Sequence, residues 1–272
     1  MLNRKNRYYG FVNHNLLTLA CDKAESRTPP VFDPGETPMP VISFANAKGG
    51  AGKTTAALLL ATEVAERGKT VIIFDADPQR WISTWSDLPG RHPNIEVQSQ
   101  LTPATITDQI LDATRQVDYV IVDLEGTENL MVANAISVSD LVVVPIQGSC
   151  MDARGGAKII RLIAKLEQVV RHDIRHCVAL TRTNAAVTTR ALKAVQDHLA
   201  VSGIDVLLTP IVERAAYRDM FEFGGGLANL DPKTVTNLDK ARENAEMFAA
   251  EVLERAEVRR PRRWYDVFRK AS

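Results

Sequence analysis

From Val41 onward, short apolar runs rich in β-formers alternate with longer segments of helical period. The strand-like runs are 41–47 (VISFANA), 71–75 (VIIFD), 95–99 (IEVQS), 119–123 (YVIVD), 141–147 (LVVVPIQ), 177–182 (CVALTR) and 206–211 (VLLTPI). Most are apolar without a break, the pattern of strands covered on both faces. Helical segments at 54–67, 103–116, 153–171 and 186–200 separate them, and a longer one at about 233–258 closes the domain. There are no internal repeats. The alternation predicts an α/β fold: a doubly wound, mostly parallel sheet flanked by helices.

The two ends depart from this pattern. Residues 1–38 begin basic and aromatic (MLNRKNRYYG) and run into a polar, Pro-rich linker (DKAESRTPPVFDPGETP). They read as a disordered extension or a start assigned too early, with a basic arm touching DNA or lipid as the functional alternative. Residues 259–272 set Arg259, Arg260, Arg262 and Arg263 beside Trp264 and Phe268, two aromatics one helical turn apart. A solvated tail, a DNA-backbone contact and a membrane-targeting helix all fit such a segment. Residues 39–258 are left as the folded domain.

Composition narrows the classes. Of 272 residues, 45% are hydrophobic and 24% charged, and lysine plus arginine balance aspartate plus glutamate at 33 each. The chain is no polycation, so nucleic-acid binding would need a local patch. Its 3 cysteines show no metal or disulfide spacing, and no apolar run is long enough for a membrane span. A cytoplasmic protein is expected. His172 and His176 are four apart, but the segment between them turns from helix end to strand start, which is poor geometry for a shared metal.

The chemistry concentrates in VISFANAKGGAGKTT, residues 41–55. A strand enters a loop of small residues, and a helix follows. Glycines let the loop curl so that its N–H groups point inward, and the helix N-terminus adds partial positive charge, which makes a phosphate cradle. Gly49, Gly50, Ala51, Gly52, Lys53, Thr54 and Thr55 would line it. Lys53 would reach the β- and γ-phosphates, and the Thr54 hydroxyl would ligate Mg²⁺. Position 47 is Ala rather than the Gly of the usual P-loop, and a second lysine, Lys48, precedes the glycine pair. K-G-G-x-G-K-T resembles the deviant Walker A motif of ParA/MinD-family ATPases, most nearly the ParA-type partition ATPases.

That resemblance covers about residues 39–258 and assigns further roles. In VIIFDADPQ, similar to the family's switch I, Asp75 belongs to the Mg²⁺ shell and Asp77 positions the hydrolytic water. In YVIVD, Asp123 is the Walker B carboxylate. Glu125 stands where the family usually has a small-residue turn, which alters the expected switch II. The stretch 142–158 resembles a strand ending at a dimer face, followed by a helix N-capped by Asp152. Arg182 is the candidate base contact. Trp81 and Trp85 read as packing or dimer contacts. The implied cofactors are ATP and Mg²⁺, with catalysis by Lys48, Lys53 and Asp77. The implied state is an ATP-bridged homodimer in which Lys48 crosses to the partner's phosphates.

The resemblance further implies that the ATP dimer binds non-specific DNA and associates with the nucleoid, and that a ParB-like protein stimulates hydrolysis. Candidate DNA contacts are Arg190, Lys193, Arg214, Arg218 and the arginines of the tail. Three alternatives are a MinD-like membrane-positioning ATPase, an accessory ATPase of DNA transfer, and a non-hydrolysing nucleotide-dependent scaffold.

Overall fold

The computed structural model describes residues 39–148, 150–171, 173–184, 187 and 189–257. The readings made for 1–38 and for the basic tail, including Arg259, Arg260, Arg262 and Arg263, lie outside the described residues, as does His172. Among the described residues there are seven strands: β1 (Val41–Phe44), β2 (Val71–Ala76), β3 (Ile95–Gln98), β4 (Tyr119–Leu124), β5 (Leu141–Gln147), β6 (His176–Thr183) and β7 (Ile211–Val212). They form one sheet in the order β3-β2-β4-β1-β5-β6-β7, with every pairing parallel. The helices are α1 (Lys53–Glu66), α2 (Trp81–Ser86), α3 (Ile106–Ala113), α4 (Leu130–Ser137), α5 (Cys150–Val170), α6 (Arg190–Val201), α7 (Ala215–Phe223) and α8 (Leu238–Ala256).

The unbroken apolar strands are explained by two cores, one on each face. Ile42, Phe44, Ile73, Ile121 and Val143 point toward α1, α2, α7 and α8. Their strand neighbours Val41, Ile72, Phe74, Val120 and Val142 point toward α3, α4, α5 and α6. Each buried side chain of this size stabilises the fold by about 1.5–3 kcal/mol. Helix α1 is buried along most of its length because it lies between the sheet and α8.

Three sequence readings need correction. The strand expected over 206–211 is mostly irregular: Val206 makes one isolated bridge to Val178, and regular pairing starts only at Ile211. Leu208 is 90% exposed there. Side chains of α8 take over the backbone bonding that a ladder would supply. The Glu251 carboxylate accepts from the N–H groups of Leu208 (2.7 Å) and Thr209 (2.8 Å), and Asn244 donates to the Pro210 carbonyl (2.8 Å). Two short helices, α4 and α7, were not expected. Helix α5 begins at Cys150, so Asp152 falls in its first turn rather than at its N-cap.

Topology selects the functional edge. The chain leaves β1 toward α1 on one face and leaves the adjacent β4 toward α4 on the other. The crevice at the carboxyl ends of β1 and β4 is therefore a switch point, where α/β sheets bind ligands.

Candidate functional site

The loop 45–52 leaves β1 at this crevice and ends at the first turn of α1. Gly50 (φ 77°) and Gly52 (φ 95°) take the left-handed conformations that curl it. Four contacts brace it from behind. Asn46, fully buried, donates to the Pro145 carbonyl (2.6 Å) and accepts from the Lys48 N–H (2.9 Å). The Thr181 hydroxyl donates to the Ala51 carbonyl (2.7 Å). The Gln147 amide donates to the Gly50 carbonyl. A Cβ on Gly155 of α5 would stand 2.4 Å from Asn46 Oδ1, so α5 packs directly on the residue that sets Lys48.

Lys53 opens α1 and is buried, with Nζ 3.4 Å from the Lys48 carbonyl. Burial lowers its pKa, and the charges of Asp123, Asp77 and Glu125 partly offset that. Thr54 and Thr55 follow in the same turn, half-buried. Gly49 and Gly50 are exposed at the rim.

The carboxylates converge on this lysine. Asp75 on β2 and Asp123 on β4 are register partners on adjacent strands, and Asp123 also pairs in register with Phe44 at the end of β1. The N–H (2.8 Å) and hydroxyl (2.6 Å) of Ser83 donate to Asp75 Oδ2, while Asp75 Oδ1 is buried without a partner. Both Asp123 oxygens are fully buried without a hydrogen bond of normal geometry, and the Thr54 side chain lies close enough to act on the carboxyl. Desolvation first, then the neighbouring Asp75 charge, pushes the Asp123 carboxyl up to about 8, against the pull of Thr54 and Lys53. Asp77 lies just past β2, half-buried, and accepts from the Gln79 N–H (2.9 Å).

Orphaned, buried carboxylate oxygens beside a buried lysine and a phosphate cradle fit a divalent cation with a polyphosphate. Thr54 and Asp123, with Asp75 behind them, would hold Mg²⁺, whose charge would neutralise the phosphate oxygens.

Glu125, the departure from the family pattern, accepts from Asn129 Nδ2, while Asn129 Oδ1 caps α4 through the Val132 N–H (3.0 Å). Between them, Gly126 presses on the phosphate loop: a Cβ there would lie 2.9 Å from the Gly49 nitrogen.

The remaining candidates scatter. Arg182 is exposed at φ 50°, and its neighbour Thr181 is the residue of that strand that touches the loop. Arg190 and Lys193 are exposed on α6. Arg214, half-buried at the start of α7, lies beside the Tyr217 hydroxyl, and Arg218 is paired with Glu213 (3.3 Å). Trp85 is buried and donates to the Gly225 carbonyl (3.0 Å), whereas Trp81 is 55% exposed. Sequence reasoning missed Thr181, Ser83 and Gly155, and held Asn46 and Gln147 only as members of the stretches 41–55 and 142–158.

A family model described as VirC1 protein matches residues 39–256. The chain belongs to the VirC1 family. Protein ParA of Rhizobium radiobacter is 37% identical over 217 residues, covering 80% of this chain and 97% of that protein. Protein virC1 of Rhizobium rhizogenes is 28% identical over 68% of this chain and 82% of its own length. Among solved structures, a Cyanothece McdA–ATP complex superposes with TM-score 0.64 at 15% identity, covering 84% of this chain and all of that one, which speaks to the fold. The ParA/MinD resemblance read from residues 41–55 is borne out, and so is the doubly wound fold. This VirC1-family chain is thus of the ParA/MinD P-loop ATPase type, among partitioning and positioning proteins.

Proposed function

We propose that the chain is an ATP-dependent dimerising switch that hydrolyses ATP to ADP and phosphate and uses the cycle to bind DNA and to segregate or position DNA or another cargo. The observation that carries this reading is the juxtaposition of Lys53, at the end of a braced phosphate loop, with two buried carboxylates: Asp123, with both oxygens unpartnered, and Asp75, with one. Such an arrangement costs stability in the empty protein, and Mg²⁺ with a triphosphate would relieve it.

Each residue has a task that follows from its place. Lys53 and the loop N–H groups bind the phosphates and offset charge as it develops on their oxygens. Asp77, past the strand end, orients the attacking water. Lys48, set by Asn46 on the rim side of the loop, reaches a partner subunit's phosphates and supplies in trans the charge that an arginine finger supplies elsewhere. ATP then bridges two copies, and hydrolysis releases them. The ATP-bound dimer holds DNA non-specifically, on the nucleoid, and a ParB-like partner accelerates turnover.

The test is a comparison of duplex binding without nucleotide, with ADP and with ATP, alongside Mg²⁺-dependent phosphate release. ATP-dependent, salt-sensitive binding is expected. Lys53→Ala should lose ATP binding, and Lys48→Ala should keep ATP yet stay monomeric. Retained ATP binding by Lys53→Ala would overturn the site. A reading as a non-hydrolysing scaffold is favoured only by Glu125 and its Asn129 contact, and phosphate release at any steady rate excludes it.

A further inference from the structure

Helix α5 presents four cations along one ridge: Arg154, Lys158, Arg161 and Lys165, all exposed. Their spacing of four, three and four residues places them within an arc of about 60° and along about 16 Å of helix. No acid shares the ridge. Glu167, the first acid after Lys165, turns away and accepts from the Ile174 N–H (2.8 Å). The opposite side of α5 carries Ile159 and Ile163, both fully buried against the sheet.

Some exposed cations elsewhere are paired, as in Arg218 with Glu213 and Lys240 with Glu243, while among the described residues others, such as Arg80, Arg182 and Lys233, make no ion pair but stand singly rather than in a row. Among the described residues none of the four ridge cations makes an ion pair. Helix α6 packs beside α5 and adds Arg190 and Lys193 against a single exposed acid, Asp197. Helix α8, on the other face of the sheet, bears five acids, Asp239, Glu243, Glu246, Glu251 and Glu254, against three bases, Lys240, Arg242 and Arg255. In a chain with zero net charge, α5 and α6 carry a local basic excess. Like charges one turn apart cost a few tenths of a kcal/mol per pair, a cost that a bound polyanion removes.

We propose that the α5 ridge, flanked by Arg190 and Lys193, docks the phosphate backbone of duplex DNA. This rests on the DNA-bound reading above and says where the DNA lies. A ridge of about 16 Å faces roughly nine phosphates of a duplex, counting both strands. An anionic membrane is the weaker fit. Helices that bind membranes turn an apolar face to the lipid, and the apolar face of α5 is spent on the core.

The test uses the full chain with ATP and Mg²⁺, a labelled duplex of arbitrary sequence and a salt titration. Lys158→Gln/Arg161→Gln/Lys165→Gln should lower affinity by about 10- to 100-fold and reduce the slope of log affinity against log salt by about 2.7. ATP binding should be unchanged, since none of the three touches the phosphate loop. Lys158→Arg/Lys165→Arg should bind like the wild type, and so should Lys240→Gln on α8. In the wild type, DNA should protect Lys158 and Lys165 from acetylation. Unchanged affinity and slope in the triple variant, with both lysines still reactive, would overturn the ridge and leave DNA binding standing elsewhere. A wild type that binds no duplex in any nucleotide state would remove the DNA reading and the ridge with it. A triple variant that loses anionic-vesicle binding but keeps DNA would overturn the assignment to DNA.

Discussion

Asn46→Ala tests how the phosphate loop is held. Asn46 is fully buried, and its amide makes two bonds: one to the Pro145 carbonyl at 2.6 Å and one from the Lys48 N–H at 2.9 Å. Truncation orphans a buried strand carbonyl, at about 1–3 kcal/mol, and a half-exposed N–H that water can partly satisfy, at up to about 1 kcal/mol. The total is about 1–4 kcal/mol, which for a domain of this size lowers Tm by roughly 3–12 °C. Function should suffer separately. Lys53 is untouched, so ATP still binds, but the backbone of Lys48 loses its tether and nucleotide-dependent dimerisation weakens. Asn46→Asp sharpens the test: it keeps the acceptor for Lys48 but sets a carboxylate oxygen against the Pro145 carbonyl, and it should be at least as destabilising. Urea denaturation gives the stability, and sizing with ATP gives the dimer. If Asn46→Ala lies within about 0.5 kcal/mol of the wild type and dimerises normally, Asn46 does not brace the loop.

The Asp123 carboxyl, raised to about 8 from an ordinary value of 3.8, makes Mg²⁺-free stability pH-dependent. Between those values the folded chain holds a proton that the unfolded chain has released, so stability falls as pH rises, by up to about 1.4 kcal/mol per pH unit. Asp123→Asn removes this contribution, so from pH 5.5 to 7.5 the wild type should lose about 2–3 kcal/mol more than the variant; parallel urea midpoints would refute it. Gly126→Ala would place a methyl 2.9 Å from the Gly49 nitrogen and 3.0 Å from the Lys48 carbonyl carbon, backbone that cannot yield. Calorimetry should find ATP affinity down about tenfold, a cost of about 1.4 kcal/mol, and an unchanged affinity would show that the loops part freely. Asp77→Ala should keep ATP affinity and lose turnover, leaving a persistent ATP-bound dimer on sizing; wild-type phosphate release would refute its role with water.

The strands were legible because burial on both faces leaves a local trace, an unbroken apolar run such as VIIF or LVVV. The same rule overreached at 206–211, where VLLTPI is apolar in composition but Leu208 faces solvent and Pro210 has no N–H to pair. The rescue of that backbone by Glu251 and Asn244 comes from a helix more than 30 residues later, which no local window contains. Helix α4 was missed because its eight residues, LMVANAIS, are nearly all apolar or small and show little period. The phosphate loop was readable as a motif, yet its supports were not. Asn46 and Pro145 are 99 positions apart, and Thr181 and Ala51 are 130 apart. Strand β6 shows the limit most directly. The sequence pointed to Arg182, but the strand's alternation, with a register shift between Thr181 and Thr183, turns Thr181 toward the loop and leaves Arg182 exposed.

The same features that make the site costly suit it to the proposed switch. Asp123 carries two unsatisfied buried oxygens, Lys53 is buried and depressed, and Gly126 and Gly155 bring two other elements into contact with the loop at distances that leave no slack. A ligand that satisfies the carboxylates and lysine must therefore be felt through Gly126 at the 124–129 loop that caps α4, and through Asn46 and Gly155 at the start of α5. Helix α5 is also the helix that carries the basic ridge. Nucleotide chemistry at one end of this helix and a polyanion along its flank would then share one rigid element, and occupancy of either would bias the other. That coupling is reciprocal. If duplex DNA tightens ATP binding in the wild type, ATP must tighten DNA binding by the same factor. The Lys158→Gln/Arg161→Gln/Lys165→Gln variant should lose the first effect while keeping its basal ATP affinity.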